Sequence, residues 1–408
     1  MLLGKRIKAI DVSTTELSNI TSGSFFKVIK LSTGRLIGLG NCTLYGHPRS
    51  GNVPAINTEY QIGIWYSDND GETWTQSSKT DGRFKDAIEL SNGDLLALGY
   101  YTSITMVNGG NGQYNGCSTC ISFDKGEHWQ EITTNWKYDS VVETASGNIV
   151  LASSYAIGNY QTGTYSYGTY YPSIQYISIN DIRTSTTLTP ATGLGSNGKH
   201  VVGLDTITGK VYVYDLRNYK LYVSVDEGIT FTEVQNNGLP NLSKVQFITI
   251  GNNFFIISST VCYKLNRANN IFEALTFDHY ITKETCYVAN ANNNIAAVPV
   301  FPYNNGYIIP LTNKINAYTE DGENFEYIDS NVVLDKVLMI SNNKIIENEP
   351  STDTTYQGNT TTYYHGVAKA SITQLPDIVY NAKYKYLDQA GLQEIHNQMM
   401  DYISEVTQ

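Results

Sequence analysis

Short stretches of β-branched, aromatic and aliphatic residues alternate with clusters of Gly, Asn, Asp and Ser over most of the chain. The segment 27–40 is typical of two strands joined by a tight turn at Ser32-Thr33-Gly34, and the arrangement returns at 86–100 and 140–155. Residues of this kind bounded by turn signals form strands. Looser copies lie at 201–214, 245–258, 296–311 and 337–346. The pattern therefore predicts an all-β fold of repeated strand pairs.

A second motif follows these strand pairs, with copies at 67–74, 122–129 and 224–231 and a weaker one at 318–325. The Asp or Asn side chain is expected to bond backbone N–H groups of a turn, Gly to supply a positive φ, and the aromatic residue to pack between sheets. The turn residues so identified are Asn69, Gly71, Trp74, Asp124, Gly126, Trp129, Asp226, Gly228, Phe231, Gly322 and Phe325. The motif resembles the Asp-box, or BNR repeat, of sialidase-like β-propellers. This resemblance implies a propeller fold.

Joining the two patterns gives seven four-strand units, at roughly 25–78, 84–134, 138–188, 199–236, 243–277, 293–330 and 334–375. Four strands every 40–50 residues or so is the spacing of propeller blades. The sequence predicts a seven-bladed propeller over residues 1–375, with six blades as the alternative. The strand Arg6–Val12 is expected to supply the outer strand of the last blade and so close the ring.

The pattern changes after Pro376, so residues 376–408 form a separate C-terminal segment. Asp388 suits a helix N-cap, and the apolar residues that follow repeat at helical spacing: Leu392, Ile395, Met399, Tyr402 and Val406. This helix is expected either to anchor the protein or join copies of it, or to pack on its own propeller.

The segment Tyr386–Leu392 and the helix after it resemble an L-D-x-x-G-L element at the ends of tailed-bacteriophage structural proteins. The aromatic residue that this element usually has near Ile395 or His396 is missing, as is its lysine-rich spacing. The resemblance implies a virion protein. The N-terminal residues without a secretory signal and the sparse cysteines indicate synthesis in the host cytoplasm.

Long connections between the second and third strands fall on blades seven, one, two and three, at 349–362, 41–61, 101–116 and 156–173. They are rich in Tyr, Asn, Gly and Thr, a mixture that suits sugar binding. Clustered insertions on one face of a repeat fold often mark its binding face. The candidate ligand-binding residues are Tyr45, His47, Arg49, Tyr101, Tyr114, Tyr160, Tyr165, Tyr167, Tyr170, Tyr171 and Tyr356. Ordinary polar loops, or contacts in a larger assembly, are the alternatives.

Charge and composition exclude several classes of binding partner. The net charge is −11, with 27 Lys+Arg against 38 Asp+Glu, so nucleic-acid binding is not expected. No apolar run is long enough to span a membrane, and the N-terminal residues lack the apolar run of a secretory signal. Five cysteines do not make a disulfide scaffold.

Catalysis is not expected. The sialidase resemblance implies a substrate-binding arginine triad, but Lys27 stands at its first position and no arginine follows Arg267. Paired carboxylates for other glycosidase chemistry could come from Asp205, Asp215, Glu284 and Asp335. A lone C-x-x-C at 117–120 and six scattered histidines offer no metal site, and no cofactor motif is present.

The sequence therefore predicts a non-catalytic phage virion protein of the tail, fibre or appendage, without cofactors. Its loop face would bind host-surface carbohydrate or a neighbouring virion protein, and its C-terminal helix would form a homo-oligomer. A glycan-cleaving depolymerase of the same fold is the alternative, and a purely structural collar or fibre piece is a third hypothesis.

Overall fold

The computed structural model describes residues 6–10, 15–16, 25–40, 42–47, 56–61, 63–82, 84–99, 103–107, 111–115, 119–133, 138, 140–153, 173–184, 187–194, 199–243, 245–258, 261–279, 282–284, 300–303, 305–311, 315–330, 337–341, 344–356 and 359–371. These residues form β-strands and their connections, without a helix among them. Across this part of the chain there is accordingly no helix that could cross a membrane. The C-terminal segment 376–408 lies outside the described residues, including the helix predicted from Leu392, Ile395, Met399, Tyr402 and Val406.

Two short strands, β1 (Arg6–Ile10) and β2 (Thr15–Glu16), precede seven sheets that follow one another along the chain. Sheet I contains β3 (Phe25–Lys30), β4 (Leu36–Gly40), β7 (Ile64–Ser67) and β8 (Thr75–Gln76), with the hairpin of β5 (Cys42–His47) and β6 (Ile56–Gln61) between β4 and β7. Sheet II contains β9 (Phe84–Glu89), β10 (Leu95–Gly99), β13 (Thr119–Ser122) and β14 (Gln130–Thr133), with the hairpin of β11 (Ser103–Val107) and β12 (Asn111–Asn115) between β10 and β13. Sheet III contains β15 (Ser140–Glu143), β16 (Asn148–Ala152), β17 (Ile174–Ser178) and β18 (Thr189–Pro190).

The remaining sheets repeat the antiparallel order. Sheet IV contains β19 (His200–Asp205), β20 (Lys210–Asp215), β21 (Lys220–Ser224) and β22 (Thr232–Glu233). Sheet V contains β23 (Val245–Ile250), β24 (Asn253–Ser258), β25 (Cys262–Asn266) and β26 (Ile271–Ala274), and the hairpin of β27 (Phe277–His279) and β28 (Thr282–Glu284) follows it. Sheet VI contains β29 (Phe301–Tyr303), β30 (Gly306–Pro310), β31 (Ile315–Thr319) and β32 (Glu326–Ser330), and sheet VII contains β33 (Val337–Ser341), β34 (Lys344–Tyr356) and β35 (Asn359–Ser371).

Apolar clusters join each sheet to the next, as expected for the blades of a β-propeller. Ile37 and Leu39 of sheet I pack with Phe84 and Leu95 of sheet II, and corresponding clusters join sheets II to III, III to IV, IV to V and V to VI. Strand β29 lies against β33, which joins sheets VI and VII. Ile346 of sheet VII packs into the cluster of sheet I, so the last sheet returns to the first. The all-β propeller predicted from the repeats is confirmed.

The repeated motif forms a turn of constant geometry between the third and fourth strands, which we call the box turn. In the turn at 67–74, Ser67 Oγ donates to Asn69 Oδ1 at 2.9 Å, the Gly71 N–H donates to Ser67 Oγ, and the Thr73 N–H donates to Asn69 Oδ1. The turns at 122–129 and 224–231 repeat these bonds. The residue before each glycine also has a positive φ, from 53° to 63°.

The weaker copy departs from the predicted alignment by one residue. Thr319, and not Tyr318, supplies the hydroxyl group, which donates to Asp321 and accepts from the Gly322 N–H. Gly322 is three positions after Thr319, against four positions in the other copies, because one turn residue is missing. Phe325 nevertheless lies in the cluster between sheets V and VI.

The prediction that the strand at Arg6–Val12 forms the outer strand of the last blade was wrong. β1 does not pair with sheet VII but adds a fifth strand to sheet VI, running parallel to β32. The outer strand of sheet VII is β2, whose two residues pair with Ala370 and Lys369 of β35. A strand of two residues carries no periodicity, and the alternation in β1 does not specify its partner.

Candidate functional site

Three hairpins project from one end of neighbouring sheets VII, I and II. The box turns and the first turn of each sheet lie at the other end, because consecutive strands of an antiparallel sheet reverse direction. The connection from β4 to β7 is the hairpin β5–β6, that from β10 to β13 is β11–β12, and β34–β35 extends beyond β33 as two 13-residue strands. β35 lies against β5, and β6 lies against β11. We call this set of hairpins the loop face.

The register of β5–β6 groups several predicted residues. Tyr45 pairs with Thr58, His47 with Ile56, and Thr43 with Tyr60. Directly paired residues share one face of a hairpin and alternate residues return to it. Tyr45, His47 and Tyr60 therefore occupy positions on the same face.

The hairpin β11–β12 separates polar from apolar positions. Ser103 pairs with Asn115 and Thr105 with Gln113, so hydroxyl and amide residues occupy one face, which ends at the pair of Val107 and Asn111. Ile104 pairs with Tyr114 on the opposite face, together with Met106. The sequence predicted a long connection at 101–116, and the backbone there forms a strand pair.

The third hairpin is the longest. Ser351 of β34 pairs with His365 of β35, and Asp353 pairs with Tyr363. Tyr356, a predicted ligand-binding residue, pairs with Asn359 next to an irregularity in the register. Pro350 lies within β34 and pairs with Gly366; such a proline is tolerated where its nitrogen faces away from the partner strand.

The structure places four of the predicted ligand-binding residues on these hairpins: Tyr45, His47, Tyr114 and Tyr356. The others lie outside the described residues: Arg49, Tyr101, Tyr160, Tyr165, Tyr167, Tyr170 and Tyr171. The Tyr-rich connection of sheet III, 154–172, is thus not described, but its two ends are adjacent, since the Ser153 N–H donates to the Ser173 carbonyl at 2.9 Å.

A buried polar group that the sequence did not suggest lies beside these ends. His200 begins β19, and its N–H donates to the Ser153 carbonyl. Its Nδ1 shares a hydrogen bond with Ser173 Oγ, while its Nε2 lies 3.7 Å from Asp215 Oδ2 without a hydrogen-bond partner among the described atoms. Burial lowers the pKa of His200 to about 4, although the nearby Asp215 carboxylate acts in the opposite direction. His200 is therefore neutral at pH 7, and it forms hydrogen bonds with both residues that flank the Tyr-rich connection.

Two of the candidate catalytic carboxylates have structural partners. Asp205 is fully buried and accepts hydrogen bonds from Arg267 Nε at 2.7 Å and Nη2 at 2.6 Å. Burial alone would raise its pKa, but the hydrogen bonds from Arg267 and Thr208 hold the pKa below its usual value. Asp215 accepts from the Arg217 N–H and from Asn218 Nδ2 in the turn after β20.

These two carboxylates cannot act as a pair. Asp205 pairs with Lys210 at one end of the β19–β20 hairpin, whereas Asp215 lies at the other end. The intervening strand spans about 16 Å, against about 5–9.5 Å for the carboxylates of glycosidases. The other two candidates cannot be placed in this way: Glu284 lies on β28, and Asp335 is outside the described residues.

Lys27, at the position where the resemblance implies a substrate-binding arginine, is already paired. Its ammonium group forms an ion pair with Asp86 of the neighbouring β9. Of the cysteines in the described part of the chain, Cys120 and Cys262 are buried in strands. No group of three or more potential metal ligands occurs within the described part of the chain.

Comparisons with known proteins support the fold. No family model and no curated protein matches this chain. The extracellular domain of BT4673 from B. thetaiotaomicron superposes with a TM-score of 0.51 at 11% identity, over 89% of this chain and 43% of that one. Virginiamycin B lyase from Staphylococcus aureus gives 0.48 at 10% identity, over 89% and 99% of the two chains, and YCF48 with a D1 peptide gives 0.47 at 9%, over 90% and 97%.

These neighbours are β-propeller proteins, and the chain spans less than half of the BT4673 domain. At such low identity the similarity shows the fold alone. The resemblances to sialidase-like proteins and to phage structural proteins stay predictions.

Proposed function

We propose that this protein is a binding propeller whose loop face attaches to a glycan on a host-cell surface. The observation that carries the proposal is the side-by-side arrangement of hairpins β34–β35, β5–β6 and β11–β12 at one end of three neighbouring sheets. Paired strands present side chains on a more rigid frame than irregular loops do. A broad face of this kind suits an extended polymer better than a small molecule held in a closed pocket.

The composition of this face supports a sugar ligand. Between residues 42–61, 101–116 and 348–368 the chain is rich in Tyr, Thr and Asn. Tyrosine gives a large contact area at low entropic cost, and amides and hydroxyls form adaptable hydrogen bonds. The Tyr-rich connection 154–172 belongs to the neighbouring sheet III. The two residues that flank it, Ser153 and Ser173, both form hydrogen bonds with His200.

The virion setting is part of the same proposal. It is supported by the similarity of the segment at 386–392 to phage structural proteins and by a chain with only 16% charged residues. In this setting the C-terminal helix joins copies of the chain or attaches it to a neighbouring virion protein. Seven blades, one for each of the seven sheets, belong to the proposal, and six blades are the alternative.

A glycoside hydrolase on the same propeller is the second candidate function. Such an enzyme needs two carboxylates, and Glu284 on the hairpin β27–β28 is a candidate for one of them. Against it, Asp205 and Asp215 lie too far apart to act together.

Binding with product analysis separates the two functions. The full-length protein is incubated with a bacterial glycan array and with purified host cell walls, and soluble products are analysed by mass spectrometry. Retention on polysaccharide without released sugars supports a binding propeller. Released oligosaccharides would replace it with the hydrolase, and binding to virion proteins alone would move the ligand from glycan to protein.

A further inference from the structure

We infer that the glycan bound by the loop face is a neutral polysaccharide, and that the polar face of hairpin β11–β12 supplies hydrogen bonds to it. This inference rests on the proposed function and specifies its ligand. Two independent observations carry it: the register of this hairpin and the distribution of charge over the loop face.

The register produces a row of neutral hydrogen-bonding residues. Ser103 and Thr105 on β11 occupy the same face as Asn115 and Gln113 on β12. Asn111 continues the row opposite Val107, which is the apolar position at its end. Alternate residues of a strand lie about 6.8 Å apart, so the amide positions 111, 113 and 115 extend over about 14 Å. This length matches a few sugar units of an extended chain. Amide groups both donate and accept, as sugar hydroxyls do.

The opposite face of the hairpin carries apolar residues. Ile104, Met106 and Tyr114 share it, and β11 lies against β6 of the neighbouring hairpin. The row of neutral polar positions and these apolar positions therefore occupy opposite faces of the hairpin, and we assign the ligand to the polar row.

The charge of the loop face excludes an acidic glycan. The strands β5, β6, β11 and β12 and the segments 348–356 and 359–368 contain Glu59, Glu349 and Asp353 but no lysine or arginine. The connection 154–172 carries no charged residue, and Arg49 is the one cation in the segment joining β5 to β6. Carboxylate, phosphate and sulfate groups are recognised by arginine and lysine, and a site with excess negative charge repels them.

The experiment compares two variants on paired sets of neutral and acidic polysaccharides. The test variant is Asn111→Ala/Gln113→Ala/Asn115→Ala. The control variant, Gln76→Ala/Gln130→Ala, removes two exposed amides from the outer strands of sheets I and II. Circular dichroism and the thermal midpoint establish that each variant folds like the wild type. Affinities are measured by biolayer interferometry at 50 mM and 500 mM NaCl.

The inference predicts binding to neutral polysaccharides only, with an affinity that salt changes less than about twofold. The test variant loses at least about tenfold in affinity, since each lost hydrogen bond costs a factor of about 2–13, whereas the control variant retains wild-type affinity. Salt-sensitive binding to acidic polysaccharides would overturn the inference and leave the proposed function standing. Undiminished binding by the folded test variant would do the same. Failure of the wild type to bind any glycan would overturn the proposed function as well.

Discussion

Stability should fall as the pH is lowered from about 6.5 to about 4, because His200 is buried in its neutral form. Its side chain is 1% exposed, its Nδ1 bonds Ser173 Oγ, and its Nε2 has no hydrogen-bond partner among the described atoms. Burial lowers its pKa from 6.5 to about 4. In this window the unfolded chain binds a proton that the folded protein does not, so protons favour unfolding.

The expected loss of folding stability follows from the pKa shift of His200. Each pH unit between the two pKa values is worth about 1.36 kcal/mol, so protonation costs the folded state roughly 3 kcal/mol. The stabilisation is complete above pH 6.5 and is lost as the pH falls to about 4. Carboxylates whose pKa is lowered affect stability at lower pH than His200 does. Asp321, with a pKa of about 2 against an ordinary 3.8, loses its stabilising effect only below about pH 4.

The assay is reversible urea unfolding followed by tryptophan fluorescence at intervals from pH 7 to pH 4. The matched variant is His200→Asn, which keeps a polar atom near Ser173 but does not titrate. The variant is expected to be less stable than the wild type at pH 7 and to lose roughly 3 kcal/mol less between pH 6.5 and pH 4. Parallel stability curves for the two proteins would refute the assignment of this pH dependence to His200.

Two further predictions concern the box turn and an ion pair between sheets. Gly228 has a φ of 84°, and a Cβ there would lie 2.4 Å from Val150 Cγ2, so Gly228→Ala should cost roughly 2–4 kcal/mol in urea unfolding. Gly209→Ala, with a φ of 71° and open space around it, should cost only about 1–2 kcal/mol; equal losses would show that packing against sheet III is unimportant. Arg267→Ala leaves Asp205 buried without its ion pair and should cost roughly 3–5 kcal/mol, whereas Lys220→Ala, in an exposed pair with Glu233, should leave the melting temperature unchanged. A small loss for Arg267→Ala would mean that Asp205 finds another partner.

The box turns could be predicted from sequence because their geometry is local. Ser67, Asn69 and Gly71 make their defining bonds within four residues of one another, so the motif alone specifies the turn. The same argument holds for the turn at Ser32-Thr33-Gly34, where the Gly34 N–H donates to the Leu31 carbonyl. Repetition of these turns was enough to predict an all-β propeller.

Features that depend on distant partners could not be predicted. β1 pairs with β32, more than 300 residues away, and nothing in its own five residues specifies that partner. His200 meets Ser173 only after sheets III and IV pack together, and it meets Asp215 only through the pairing of β19 with β20. The strand β12, Asn-Gly-Gln-Tyr-Asn, has the composition of a turn, and its pairing with β11 overrides that local preference. The location of the long connections was predictable, but their hairpin structure was not.

Shortening the hairpins tests the central claim, that the loop face binds the glycan, most directly. Replacing residues 44–59 or residues 104–114 by Asn-Gly joins paired residues, Thr43 to Tyr60 or Ser103 to Asn115, by a favoured two-residue turn. The control replaces residues 278–283 by Asn-Gly, between Phe277 and Glu284 of the hairpin after sheet V. We predict that each loop-face variant folds but loses retention on the glycans that the wild type binds, whereas the control retains it. Wild-type retention by both loop-face variants would contradict the account.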